Sequence, residues 1–202
     1  MSRLVFFPGF NPRTDAGMFD HGADAIINTV NCKGTGKGSR GVAGQVFQRF
    51  PAAHEAYMSA CRHSNPTYRL APGKVLPVEI NPKTGEREKG GGFFVLNAAT
   101  KDDWRNPSKM EWVEAIGGKL EALADYTGAR RLCVPPLGCG EGGLDWKRQV
   151  GPMLRPHLEG LAKRGVEVMV FAEDPAPERG GAVSIPPEQN RRVTSSGFVL
   201  LT

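Results

Sequence analysis

The sequence predicts an α/β fold, a three-layer α/β/α sandwich around a mixed central sheet. Three observations predict it. Apolar, β-branched runs of strand length alternate with segments of helical period. Two of the runs flank a charged, turn-rich connector, which makes them an antiparallel hairpin in a sheet whose other strands need crossovers. Glycine and proline, 26 and 16 of the 202 residues, collect where strands end, as expected for long loops and not for a helical bundle.

The elements follow in order. Residues 3–7 (RLVFF) read as a first strand and residues 23–31 (ADAIINTVN) as a second that turns polar at its end. Val42, Val46, Phe47 and Phe50 recur at helical spacing until Pro51 interrupts them. Residues 74–80 and 92–98 form the hairpin around NPKTGEREKGG. Ser108 followed by Glu111 has capping-box spacing, ahead of a helix over 109–126 that carries Trp112, Ile116, Leu120 and Leu123 on one face. Gly117 and Gly118 weaken that helix, so packing must compensate. Residues 131–134 are a short buried strand. Asp145 caps a helix that Pro152 and Pro156 distort or delay and Gly165 stops, and residues 166–171 are the last strand. One domain is expected over 1–173. The Pro/Gly/Ser-rich, aperiodic residues 174–202 read as a tail or appended segment.

Composition narrows the function classes. A formal net charge of +5 and a pI near 9.2 favour a polyanionic or phosphate-bearing partner, although a merely soluble basic protein has the same balance. Cys32, Cys61, Cys133 and Cys139 show no C-x-x-C pair and no Cys/His ligand run, so no metal site is expected. The apolar patch at the start is broken by Pro8 and Pro12, too short for a secretory signal, and no stretch has membrane-spanning length. The expectation is a reduced, cytoplasmic protein with no membrane partner, and a monomer.

Ligands of open α/β sheets sit at the carboxyl ends of strands, which singles out three segments. GKGSRG, residues 36–41, matches G-x-G-x-x-G, yet no acidic strand end follows at dinucleotide-fold spacing, and Gly38 after Lys37 breaks the Walker pattern. What survives is physical: glycines let main-chain N–H groups approach an anion, and Lys37 and Arg40 add positive charge. Gly138, Gly140, Gly142 and Gly143 follow the buried strand 131–134 and precede a helix, a second place for a diphosphate. Between them lies NAATKDDWR, which ends a strand on Lys101.

Taken together, DAIINTVNCKGTGKG…VFQRFP, NAATKDDWRNPS and PPLGCGEGGLDW resemble a macrodomain, in particular the DarG-type DNA ADP-ribosylglycohydrolases and the related terminal ADP-ribose glycohydrolase branch. The resemblance runs collinearly over about residues 23–171. It implies a macrodomain fold, an ADP-ribose ligand and removal of ADP-ribose from a modified target, which for DarG is a thymine base in single-stranded DNA. It implies no cofactor. Asn28 and Asn31 match the strand-end asparagines, the second near the distal ribose. Gly34, Gly36, Lys37 and Gly38 fall in the first phosphate/ribose loop, which is about two residues longer here. Gly138, Cys139, Gly140, Glu141, Gly142 and Gly143 match the second loop.

Lys101 matches the catalytic lysine of that branch. Two chemistries are open to it: a desolvated amine can attack the anomeric carbon of the distal ribose, or a cation can stabilise the leaving group. Trp104 and Arg105 are candidates for stacking a nucleobase and contacting phosphate, with packing beneath the cleft as the alternative for Trp104. Two departures stand out. Gly142 occupies the place of an aspartate in the terminal-glycohydrolase branch. The adenine-holding motif falls on Ala16, Gly17 and Met18, so adenine is left to backbone groups and an aromatic such as Phe171, which can equally be core. The leading expectation is a hydrolase of ADP-ribosylated DNA bases, an antitoxin or counter-defence activity whose partner is an ADP-ribosyltransferase toxin. The rivals are hydrolysis of ADP-ribosyl esters on protein carboxylates, and an ADP-ribose reader without turnover.

Overall fold

The computed structural model describes residues 3–9, 17–19, 21–34, 38, 41–62, 69–90 and 92–175. Gly36, Lys37, Arg40, Ala16 and the expected tail from residue 176 onward lie outside them. The strands are β1 (Arg3–Phe6), β2 (Ala25–Val30), β3 (Val75–Ile80), β4 (Phe93–Ala99), β5 (Arg131–Val134) and β6 (Glu167–Val170). They form one sheet in the order β1-β6-β5-β2-β4-β3. Every neighbouring pair is parallel except β3 and β4, the expected hairpin, so the sheet is mixed.

Helices cover both faces. On one side α1 (Val42–Arg49) and α2 (Pro51–Cys61) bury Val46, Phe47, Ala53 and Tyr57 against Ile26, Val95, Cys133 and Met169. On the other, α3 (Met110–Gly117), α4 (Leu120–Thr127) and α5 (Gly151–Lys163) bury Ile116, Leu120 and Leu154 against Ile27, Leu96, Val134 and Val168. Alternate strand residues therefore feed opposite cores, as the pleat requires. Each of these large side chains contributes roughly 1.5–3 kcal/mol by leaving water. Among the described residues no helix is long and apolar enough to cross a membrane.

Several expectations need correction. Pro51 does not merely end α1; its fixed φ suits the first turn of α2, which the periodicity missed. The helix expected over 109–126 is two helices, separated at Gly118 and Lys119. Ser108 is no N-cap: Lys109 holds that position without a side-chain cap, and Ser108 is buried. Asp145 does cap its helix, its Oδ1 accepting from the Arg148 N–H at 3.0 Å, but the first five residues, Trp146–Val150, form a π turn before α5. Past β6 the chain stays docked: Arg155 of α5 donates to Asp174 Oδ1 and the Pro175 carbonyl, at 2.6 and 2.9 Å.

Candidate functional site

The parallel strands end in register. The Phe7 N–H donates to the Val170 carbonyl, Phe171 to Val134, and Thr100 to Val30, at 2.8, 2.9 and 3.0 Å. The loops that leave these ends enclose a cleft of about 890 Å³, large enough for a dinucleotide-sized ligand.

One wall is the start of α1. Gly38, Gly41, Val42 and Ala43 line it. Gly41 is the N-cap and can offer no side-chain oxygen, and the first turn carries no acid. Among the described residues no side chain caps this helix start, so its first turn and positive dipole end lie at the cleft wall. The sequence placed a second anion-binding helix end after the second glycine loop. There the Asp145 carboxylate already accepts from the Arg148 N–H, so among the described residues the helix start at the cleft without a side-chain cap is that of α1.

The opposite wall is the loop after β5. Gly138, Cys139, Gly140, Glu141 and Gly142 line the cleft. Leu144 N–H bonds back to the Gly138 carbonyl at 3.1 Å and Gly143 N–H to Gly140 at 3.0 Å, folding the segment into a tight coil. Gly138 has φ +72°, and a Cβ at Gly142 would lie 2.2 Å from the Gly138 carbonyl oxygen and 2.3 Å from Ser108 Oγ. Glycine at 142 is thus a steric requirement, and the aspartate of the related branch has no room on this backbone.

The floor is the end of β4. Lys101 is buried, and its Nζ donates to the carbonyls of Glu141 and, at 3.3 Å, Trp104. Burial pulls its pKa below the ordinary lysine value, opposed in part by Glu141 and Asp102. Beside it Trp104 is 58% exposed at the mouth, with the Arg105 guanidinium 5.5 Å from its ring centroid. Trp104 is therefore not packed beneath the cleft. Asp103 accepts twice from that guanidinium, at 3.0 and 2.8 Å, and once from the Arg105 N–H, which holds its carboxyl well below the usual range.

The remaining candidates divide. Asn31 lines the cleft, its Oδ1 accepting from Lys33 N–H at 2.8 Å and Tyr57 hydroxyl at 3.1 Å. Asn28 does not line it: the side chain is fully buried and donates to Asn97 Oδ1 at 2.7 Å, while Asn97 donates to Ala53 O. Gly34 packs beside Met58, also away from the cleft. Phe171 lines the cleft and is core as well, stacked on Phe7 at 4.9 Å and tilted against His21 at 5.4 Å. Met18 is buried, not a ligand group. Gly9, Thr29, Thr100, Asp145, Trp146, Lys147, Ala172 and Glu173 also line the cleft and were missed. The Trp146–Lys147 pair was visible next to the second loop; Trp146 Nε1 donates to the Glu173 carbonyl at 2.7 Å, and Lys147 pairs with the Glu173 carboxylate. Cys139 is no nucleophile at neutral pH, since burial pushes its thiol up to about 12. Among the described residues no three His, Cys, Asp or Glu side chains converge as a metal ion would need.

A mixed sheet between two helical layers, with a cleft at its strand ends walled by glycine loops and a helix start, defines the class of fold. The Macro domain family model matches residues 27–151, and the chain belongs to that family. The DNA ADP-ribosyl glycohydrolase of Thermus aquaticus is 32% identical over 178 residues, which are 88% of this chain and 45% of that protein. The chain thus spans about 45% of the length of that curated relative. Among solved structures, the macrodomain of Thermus aquaticus DarG superposes with a TM-score of 0.62 at 29% identity, covering 86% of this chain and 99% of that one. Thermosipho africanus DarTG in complex with ADP-ribose gives 0.64 at 26% identity, over 77% of this chain and 39% of that one.

Proposed function

We propose that this macrodomain is a hydrolase that removes ADP-ribose from modified bases of single-stranded DNA, with Lys101 as the reacting group. The observation that carries the proposal is the position of Lys101: an amine set between two strand-end loops, beside glycine walls suited to a diphosphate. The similarity to a named DNA ADP-ribosyl glycohydrolase supports the substrate class. The α1 N-terminus and the 138–143 coil hold the diphosphate through N–H groups. Asn31 lies at the same end as Lys101 and faces the distal ribose.

The lysine acts as a neutral amine. Desolvation favours the uncharged form. Its two N–H groups are taken by the Glu141 and Trp104 carbonyls, which leaves the lone pair for the anomeric carbon. As the C–N bond forms, the bond to the base breaks and its electron pair leaves with the base, which takes up a proton. The lysyl adduct loses a proton from nitrogen while the ring oxygen gains one, opening the sugar to a Schiff base. Water then adds and releases ADP-ribose, regenerating the amine.

The activity presupposes a transferase that installs the modification, which makes an ADP-ribosyltransferase toxin the natural partner and the cytoplasm, where DNA is accessible, the natural compartment. A monomer suffices, because the cleft is built from one chain. The test is turnover of an ADP-ribosylated oligonucleotide beside an ADP-ribosylated protein. Release of ADP-ribose from the DNA, abolished in Lys101→Ala, is expected. Turnover of the protein alone sinks the DNA reading, and full turnover by Lys101→Ala removes the lysine from the mechanism. Tight ADP-ribose binding with no release from either substrate leaves a reader.

A further inference from the structure

At the mouth of the cleft, the segment from Asp102 to Ser108 is tied into the fold by hydrogen bonds at both ends. The Asp102 carboxylate accepts from Asn106 Nδ2 at 3.1 Å and from Asp103 N–H at 2.7 Å. Ser108 N–H is tied to Gly142 O at 2.9 Å, and Cys32 N–H donates to Asp102 O at 3.2 Å, joining the loop after β4 to the loop after β2. The product of this bracing is an exposed indole with a guanidinium over it, an arrangement that costs solvated surface and stabilises nothing in the core. The Asp103–Arg105 pair joins a buried carboxylate to an exposed guanidinium and so fixes where that guanidinium sits.

Cations lie beside the indole, together with the Asp102 carboxylate, which the Asn106 amide and the Asp103 N–H hold. The Asp103 carboxylate is consumed by Arg105. Lys33 is exposed directly after Cys32, where the two loops meet, and its charge acts on Asp103. Arg69 is exposed and near enough to Cys32 for its charge to act on the thiol. An aromatic face with cations on one flank fits an unpaired base followed by its phosphates. A duplex cannot use it, because a paired, stacked base has no free face to offer.

We propose that Trp104, Arg105 and Lys33 form a platform for the nucleotide next to the modified one, that the strand leaves the cleft across the β2 and β4 loops toward Lys33, and that Asp103 is the positioning residue holding Arg105 over the indole. Selectivity for unpaired nucleic acid resides on this platform and not in the ADP-ribose cleft. The proposal rests on the DNA reading above and deepens it.

The test uses the full chain in two arms. In the first, anisotropy of a short fluorescent oligothymidylate in about 50 mM salt reads binding of unmodified single strand, with the matching duplex as comparison. Trp104→Ala is expected to weaken single-strand binding about tenfold, and Lys33→Gln to lower the log–log salt slope by about 0.7. In the second arm, kcat/KM is compared for an ADP-ribosylated oligonucleotide and an ADP-ribosylated mononucleotide. Trp104→Ala and Asp103→Ala lower the ratio of the two, Asp103→Ala through KM more than kcat. Circular dichroism confirms that each variant is folded. Equal binding of duplex and single strand, no detectable binding by the wild type, or an unmoved affinity in both Trp104→Ala and Lys33→Gln overturns the platform. If the wild type turns over no modified DNA while the first arm behaves as expected, the hydrolase reading falls and the platform stands.

Discussion

Lys101 donates from Nζ to the main-chain carbonyl of Glu141, forty residues further along the chain. That one bond ties the amine after β4 to the glycine coil after β5, so the proposed reacting group and the proposed diphosphate wall are joined directly. A ligand that orders the coil also orders the amine.

The amine's protonation state is open to direct measurement. Because burial lowers the Lys101 pKa, kcat/KM on modified DNA should climb with pH along a limb centred below the ordinary lysine value, as the ammonium loses its proton. Lys101→Arg keeps the charge and cannot deprotonate, so it should be as inactive as Lys101→Ala. A falling limb, or substantial activity in the arginine variant, would assign Lys101 an electrostatic role instead.

The glycine coil makes a steric prediction. Gly142→Ala drives a methyl into the Gly138 carbonyl and Ser108 and should cost about 1–3 kcal/mol of stability, together with most of the affinity for ADP-ribose. Gly140→Ala meets nothing within 4 Å, so its stability should change by no more than about 0.5 kcal/mol while the added methyl at the cleft wall weakens the ligand. Chemical denaturation and calorimetry with ADP-ribose separate the two effects.

Asn28 and Asn31 should behave oppositely. Removing the Asn28 amide leaves Asn97 Oδ1 without its donor in the core, for a loss of about 1–3 kcal/mol and a smaller change in ADP-ribose affinity than Asn31→Ala produces. If Asn28→Ala proves the more damaging to binding per unit of stability lost, the assignment of Asn28 to the core is wrong.

The thiols give a stability signature. Burial first, then the Cys61 thiol and Asp102 for Cys32 and Asp145 for Cys139, push Cys32, Cys133 and Cys139 up to about 12 from 9.0. Below about pH 9 these thiols are protonated in both states; between 9 and 12 the unfolded chain releases protons that the fold retains, so stability falls as pH rises. Native protein should also resist thiol-specific reagents at neutral pH, with labelling following unfolding. Rapid labelling of Cys133 in the native state would contradict its burial.

Much of this was legible in the sequence. Contiguous apolar, β-branched runs located the six strands to within a few residues, because strands covered on both faces are apolar along their length, alternate residues feeding opposite layers. The antiparallel edge pair was readable from its short connector, and the cleft from glycines placed at strand ends. The same alternation sets Asn28 on the face of Ile26 and Val30, so its burial was readable too, although its partner Asn97, 69 residues away, was not. Local chemistry misjudged Pro51, which both stops one helix and starts the next, and Ser108, whose spacing promised a cap.

The sequence by itself determined the class of fold, the family and the residues that could react. Only the tertiary structure decided which of them meet: that Lys101 is buried and anchored, that Gly142 admits no carboxylate, that among the described residues α1 and not the later helix reaches the cleft without a side-chain cap, and that Trp104 faces water. Burial, steric exclusion and helix-end vacancy are properties of groups distant in the chain and adjacent in space, and the chain alone carries no local mark of them.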